Sequence, residues 1–278
     1  MSFDRFRTQV AVELELGCSD KAKWTSYKSN FEKFEINTSR KERLLSELKL
    51  DACDLYFKAI FSICDAVSNL HEGRHSWSVV KLYYSIFYLL RCIMATHGIA
   101  FLKNNGIYTI QLDIGERPIK RDKGKHMGQK VTGDHKTTIA TYVSMFKDDD
   151  ILQSNTINGT NVYDWIMDLR NQVNYRERTF QEPNHKYFYE AVFNKNRFKS
   201  QIETYINDDT FVYCFDEDHC CLAAPLKLAI LTKTKLSNFI AFDPIELEKI
   251  NEIRRLLSNT ELINSTEFTS IYDFSLMR

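Results

Sequence analysis

The sequence predicts a mainly helical protein, and three observations carry that prediction. Only nine Gly and four Pro punctuate 278 residues. Apolar residues between 39 and 70 recur mostly at three- and four-residue steps, the signature of one face of an α-helix. The segment 76–97 is apolar on most faces, as expected of a central buried helix.

Residues 1–39 read ambiguously: Phe3 to Glu15 suits a strand or a short helix, and Lys21 to Ile36 carries aromatics at mixed spacing. A strong helix follows from about Ser39 to Leu70, built on Leu44, Leu45, Leu48, Ala52, Leu55, Ala59, Ile63, Val67 and Leu70. Ser39 is its expected N-cap, with Glu42 three residues on. His71-Glu72-Gly73-Arg74 ends it in a tight link. A second helix is expected from Ser76 to His97, stopping at Gly98. On it Lys81, Tyr84, Tyr88 and Arg91 share one face. They are either packed rings with snorkelling cations or a wall that meets a phosphate or a partner.

The stretch 103–136 is the least regular. It holds five of the nine Gly, together with Arg117, Lys120, Arg121, Lys123, Lys125, Lys130 and Lys136. This basic island is either a solvated loop or an RNA contact. A third helix is expected over His135 to Phe146, capped by Asp134. Asn158-Gly159 marks a turn, and a fourth helix spans Val162 to Arg178. Another follows Pro183, from Asn184 to Ile206. Beyond Asp208 the texture changes. Thr210 to Phe215 looks strand-like, Leu222 to Leu231 is apolar but of uncertain type, and Pro244 to Leu257 reads as a helix capped by Asp243. These readings divide the chain into a flank 1–39, a helical region 40–207 and a small mixed α/β C-terminal extension, 208–278.

Composition limits the function. The 37 basic side chains are matched by 37 acidic ones. A protein that coats nucleic acid by bulk charge is normally basic, so any such contact here is local. The seven Cys include no CxxC pair, and Cys53, Cys64 and Cys92 lie in apolar segments, which suits a reducing cytoplasm. Met1 to Glu15 alternates charged and apolar residues, unlike a signal peptide. Val79 to Ala95 is interrupted by Lys81 and Arg91, unlike a membrane span.

Two apparent motifs fail on their chemistry. Gly128-Gln129-Lys130-Val131-Thr132-Gly133 is followed by Asp134-His135, so it lacks the Lys that reaches phosphates in a P-loop. Asp216-Glu217-Asp218-His219-Cys220-Cys221 is contiguous, whereas chelating loops need residues between paired ligands. No metal and no cofactor is expected. His135, at a helix start, reads first as a surface or capping His; it is also the histidine to watch, since the fold could bring it near Arg170.

Arg170-Asn171-Gln172-Val173-Asn174-Tyr175 concentrates a cation, amides and a phenol in one short stretch. An Arg there can grip a phosphate through its planar fork of donors. On a continuous α-helix Asn171 and Tyr175 lie together, one turn apart, while Arg170 borders the apolar side of Ile166 and Val173.

The central segment resembles the HEPN superfamily (higher eukaryotes and prokaryotes nucleotide-binding domain). Val80-Lys81-Leu82-Tyr83-Tyr84-Ser85-Ile86-Phe87-Tyr88 is similar to that family's Tyr-Tyr-x-x-Phe helix. His71 to Trp77 looks like its turn after the first long helix, and Gly133-Asp134-His135-Lys136 like the start of its third. Leu169 to Tyr175 resembles the start of its signature, an Arg-Asn followed four to six residues after the Arg by a His. The resemblance covers about 40–205. It implies an up-and-down bundle of four or five helices and a homodimer in which two signature helices meet. It also implies metal-independent RNA cleavage in toxin–antitoxin, CRISPR or anti-phage systems, or a silent assembly role.

The chain departs from that pattern at the base. Tyr175 holds the earliest His position, and Arg176 and Glu177 hold the next two. Cleavage needs a base for the 2′-hydroxyl and charge stabilisation at the phosphate. The resemblance assigns the phosphate to Arg170, its orientation to Asn171, and contact with the 2′-hydroxyl or the phosphate to Tyr175, with Glu177 as an alternative base. Lys81, Arg91, Lys120, Arg121, Lys123, Lys125, Arg176 and Arg178 are the expected RNA-binding cations. The expected function is an RNA-directed HEPN-like module of a bacterial defence or toxin system, a metal-independent endoribonuclease. The alternative is an inactive scaffold in a hetero-complex with an ATPase, nuclease or antitoxin, away from any membrane. Nucleotide binding in the bundle groove is a third reading.

Overall fold

The computed structural model describes residues 5–18, 20–180, 182 and 185–274. It is mainly α-helical, as the sequence predicts, with ten α-helices and only short strands among the described residues. Two long helices, α3 (Thr38–His71) and α4 (His75–Thr96), run through the middle of the chain. The chain forms two compact units, divided within these helices at Leu55/Tyr56 and Leu89/Leu90.

The first unit takes in residues up to Leu55 and Leu90–Met145. Its α1 (Arg7–Glu15) and α2 (Trp24–Glu32) resolve the ambiguous N-terminal region as helix. The buried carboxylate of Asp51 accepts from the backbone N–H groups of Arg7 (2.8 Å) and Thr8 (2.9 Å), which satisfies two orphan donors at the start of α1. At the start of α3 the cap is Asn37, not Ser39: its side-chain oxygen accepts from Arg40 N at 2.9 Å. The helix begins one residue earlier than the spacing suggests.

The irregular segment contains β-structure that periodicity alone did not disclose. Strands β1 (Ile99–Lys103) and β2 (Ile107–Gln111) pair antiparallel, with Phe101 opposite Thr109. Asn104-Asn105-Gly106 joins them, and Asn105 adopts a left-handed φ of 48°. A short β3 (Ile119–Lys120) adds to the outer side of β2. Strands β4 (Lys125–His126) and β5 (Gln129–Lys130) form a separate hairpin. The two-residue strands fall below the length at which alternation is informative, and β1 and β2, buried on both faces, do not alternate.

Helix α5 (Asp134–Met145) closes this unit. Asp134 is not a simple cap. Its carboxylate bridges Arg91 and Lys103, the latter at 2.6 Å. Burial opposes its ionisation, but Arg91 and Lys103 beside it outweigh that and hold its carboxyl below the usual range.

The second unit takes in Tyr56–Leu89 and residues 146 onward. Here α3 and α4 lie against each other, the Ser78 hydroxyl donating to Ala66 O at 2.9 Å. Helix α6 (Val162–Asn171) starts at Asn161, whose side-chain oxygen accepts from Tyr163 N (3.1 Å) and Asp164 N (3.0 Å). The helix expected from Asn184 to Ile206 is two 3-10 turns followed by α7 (Lys195–Asn207), which is capped by Asn194; Pro183 and Asn184 lie outside the described residues. Thr210–Phe215 is not a strand, because Val212–Phe215 forms a 3-10 turn leading into α8 (Cys220–Phe239). Helix α9 (Leu247–Leu256) begins after Glu246, so Asp243 and Pro244 precede it and do not cap it. A short α10 (Thr266–Thr269) follows.

The core of the second unit is rich in tyrosine. The Tyr56 hydroxyl donates to Ile271 O at 2.6 Å, fastening the last described turn to α3. Lys233 of α8 is also buried. Its ammonium donates to the carbonyls of Ser270 and Asp273 and lies 4.6 Å from the centre of the Phe274 ring. Burial pushes its pKa down to about 8, against a smaller opposing effect of Asp273.

All seven cysteines are buried free thiols, and burial raises the pKa of Cys64, Cys92, Cys214, Cys220 and Cys221. They serve as small core residues. Helix α4 is long and apolar enough to cross a membrane by length and composition alone, but most of it is buried inside the protein.

Candidate anion site around Arg170

The sequence Arg170 to Arg176 does not continue as α-helix. After α6 ends at Asn171, residues Gln172–Arg176 form a π-helical turn, with Glu177 N donating to Gln172 O at 3.0 Å. Such turns use i→i+5 bonds and are often found at functional sites. The wider turn changes which side chains meet. Tyr175 lies over Arg170, five residues back, with the guanidinium carbon 4.9 Å from the ring centre. The α-helical expectation, which paired Tyr175 with Asn171, does not anticipate this contact.

Arg170 is only 8% exposed, which makes its charge costly unless something compensates it. One terminal nitrogen donates to Asn171 Oδ1 at 3.0 Å, and the other donates to the Tyr84 hydroxyl at 3.2 Å. The Tyr83 and Tyr84 ring centres lie 5.3 and 5.6 Å from the guanidinium carbon. Its Nε is buried and has no hydrogen-bond partner among the described residues. No carboxylate among the described residues pairs with it. A buried guanidinium held by neutral amides and aromatic faces retains an unmet demand for an anion.

Beside this cation is a groove of about 600 Å³, lined by Trp77, Val80, Lys81, Tyr84, Tyr88 and Asn174 among others. Three of the four residues in the α4 stripe therefore share one concave surface. The Tyr84 and Tyr88 rings stack at 6.2 Å, and Lys81 is paired with Asp65 at 2.8 Å. Near the start of α4, Trp77 (46% exposed) and Phe180 (44% exposed) meet at 5.5 Å between ring centres. These two were not among the expected site residues. Their signal in the sequence was only that of aromatics beside polar neighbours.

The other expected cations divide sharply. Arg91 is buried. It is held by Asp134, donates from Nε to the Thr138 hydroxyl at 3.1 Å and lies 4.6 Å from the Phe101 ring centre. This cation belongs to an internal ion pair of the first unit and does not face solvent. Arg121 donates to the Thr109 hydroxyl at 2.7 Å, and its partial burial lowers its pKa. Lys120 lies 4.0 Å from Asp122. Lys123 and Lys125 are exposed, as are Arg176 and Arg178 next to the Arg170 site. Lys120, Arg121, Lys123 and Lys125 belong to the first unit, whereas Arg170, Asn171 and Tyr175 belong to the second.

The alternative base, Glu177, is occupied. One carboxylate oxygen accepts from the Tyr187 hydroxyl, and burial followed by this hydrogen bond raises the Tyr187 pKa. The other oxygen is buried without a partner. His135 lies on α5 of the first unit. Among the described residues no His, Cys, Asp and Glu side chains cluster so as to hold a metal ion. Comparison of the chain with known protein families, with curated proteins and with solved structures finds no match.

Proposed function

We propose that this protein is an RNA-directed HEPN-like module, of the kind used in bacterial defence or toxin systems, with Arg170 holding a backbone phosphate. The supporting observation is the buried Arg170 guanidinium, which has no carboxylate partner among the described residues and an unsatisfied Nε. Asn171 steers the guanidinium, and Tyr175 covers it from the solvent side. The adjoining aromatic groove suits unstacked bases, because every base has a π-face that can stack on a side-chain ring.

In this reading the resembled ribonuclease chemistry rests on Arg170 for charge stabilisation and on the Tyr175 hydroxyl for contact with the 2′-hydroxyl. A phenol is a weak base near neutral pH. RNA held without rapid cleavage is therefore the behaviour this residue set favours. A second reading, a silent HEPN-like subunit assembling with an ATPase, nuclease or antitoxin, is supported by the engagement of Glu177 with Tyr187 and by the exposed Trp77–Phe180 pair.

Binding of a labelled oligoribonucleotide, together with cleavage of a mixed RNA pool across a broad pH range, tests the proposal. Arg170→Ala is expected to lose binding by at least tenfold, in line with removal of a charge-assisted bidentate contact. Tyr175→Phe is expected to retain binding while losing any cleavage. Wild-type affinity in Arg170→Ala, with the fold intact by circular dichroism, would refute the assignment. Recovery of a stable hetero-complex whose activity survives both substitutions would favour the subunit reading.

A further inference from the structure

We propose that the β4–β5 hairpin is a separate binding element for the phosphodiester backbone of single-stranded RNA, with Lys125 and Lys130 as paired contacts. This rests on the RNA-directed reading and extends it to a surface of the first unit.

The hairpin is built against its own stability. Lys125 stands directly opposite Lys130 in the ladder, and like charges at such positions repel. Each strand has only two residues, and an isolated two-stranded hairpin is marginal in water. Both lysines are exposed, as is neighbouring Lys123. No carboxylate among the described residues pairs with any of the three. The nearest acid in sequence, Asp122, instead accepts from Ile107 N at 3.1 Å and faces Lys120. The tip adds a second cost. Met127 is 55% exposed and sits at a left-handed φ of 47°, where a side chain with a Cβ is strained.

A ligand carrying regularly spaced negative charges removes the repulsion between the two lysines. A strand of RNA supplies such charges and also presents base faces, against which an exposed thioether can lie; apolar side chains, Met among them, act this way at base steps. A purely acidic peptide such as polyglutamate offers no counterpart for the apolar tip. Three cations and one thioether are too few to anchor a membrane.

The experiment uses the full chain, fluorescence anisotropy and a short fluorescein-labelled oligouridylate, titrated at several salt concentrations. Lys125→Gln/Lys130→Gln should weaken binding on the order of tenfold and flatten the log–log salt slope by roughly 1.4, at about 0.7 per lost phosphate contact. Its melting temperature should not fall, because the repulsive pair is gone. Lys125→Arg/Lys130→Arg should restore affinity and slope, which separates charge from folding. A Gln variant that matches wild type in affinity and slope overturns the hairpin assignment while leaving the Arg170 reading in place. A wild type that binds no RNA overturns both readings. Binding of phosphatidylserine–phosphatidylcholine vesicles or of polyglutamate in preference to the oligouridylate overturns the choice of ligand.

Discussion

The guanidinium carbon of Arg170 lies 4.9 Å from the centre of the Tyr175 ring, across a single π-helical turn. The two side chains meet where α6 gives way to that wider turn, which carries Tyr175 back over Arg170. In an α-helix the neighbours of Arg170 would be three and four residues away. Together with the Tyr84 hydroxyl and Asn171, Tyr175 surrounds the cation with neutral groups, and no carboxylate among the described residues pairs with it. That arrangement leads to the first prediction.

Replacing Arg170 with Met should not destabilise the protein and is expected to stabilise it by about 1 kcal/mol. It removes a buried charge that lacks a countercharge among the described residues and keeps most of the side-chain volume. Urea unfolding measures this. In parallel, millimolar phosphate should raise the melting temperature of wild type but not of Arg170→Met, since only a native-state anion site gives such linkage. A variant several kcal/mol less stable than wild type would make Arg170 a structural residue.

Asp134→Ala should cost about 3 kcal/mol at neutral pH, because it leaves Arg91 buried without its partner. The folded carboxyl titrates below its ordinary value. The stabilisation is therefore fully present above the unfolded carboxyl's pKa and is lost as pH falls through the folded one. Urea midpoints of wild type and variant should stay apart from neutral pH down to about pH 4 and converge below it. A constant gap at all pH values would remove the ion pair as the cause.

Lys233 also makes stability rise with pH, but in an alkaline window. Its folded pKa of about 8 lies below the 10.5 of an ordinary lysine. Between those values the unfolded chain binds the additional proton, so raising the pH through this window favours the folded state. Wild type should gain roughly 1–2 kcal/mol over Lys233→Met between pH 8 and 10.5. Parallel stability curves for the two proteins across that range would contradict the assignment.

The helical class and the two long central helices were legible from composition and from three- and four-residue spacing; that a cation, amides and a phenol adjoin at Arg170–Tyr175 was legible too, but not that Tyr175 would lie over Arg170. These are local properties, because a helix makes its hydrogen bonds within its own segment. The strands at 99–130 were not legible: β1 and β2 are buried on both faces and so show no apolar–polar alternation, β3 to β5 have two residues each, and every strand is defined by a partner elsewhere in the chain. The caps also shifted: Asn37, two residues before Ser39, caps α3, because the backbone there already enters the helix at Thr38.

The sequence by itself determined which residues carry charge, that the chain is mainly helical and where its two long helices lie. Only the tertiary structure decided which cations are available. Arg91 and Arg170 look alike as arginines on helices, yet the first is neutralised by Asp134 and the second is ringed by phenols and an amide. Burial and counter-charge depend on groups distant in sequence, and so does the cost of leaving a guanidinium unpaired.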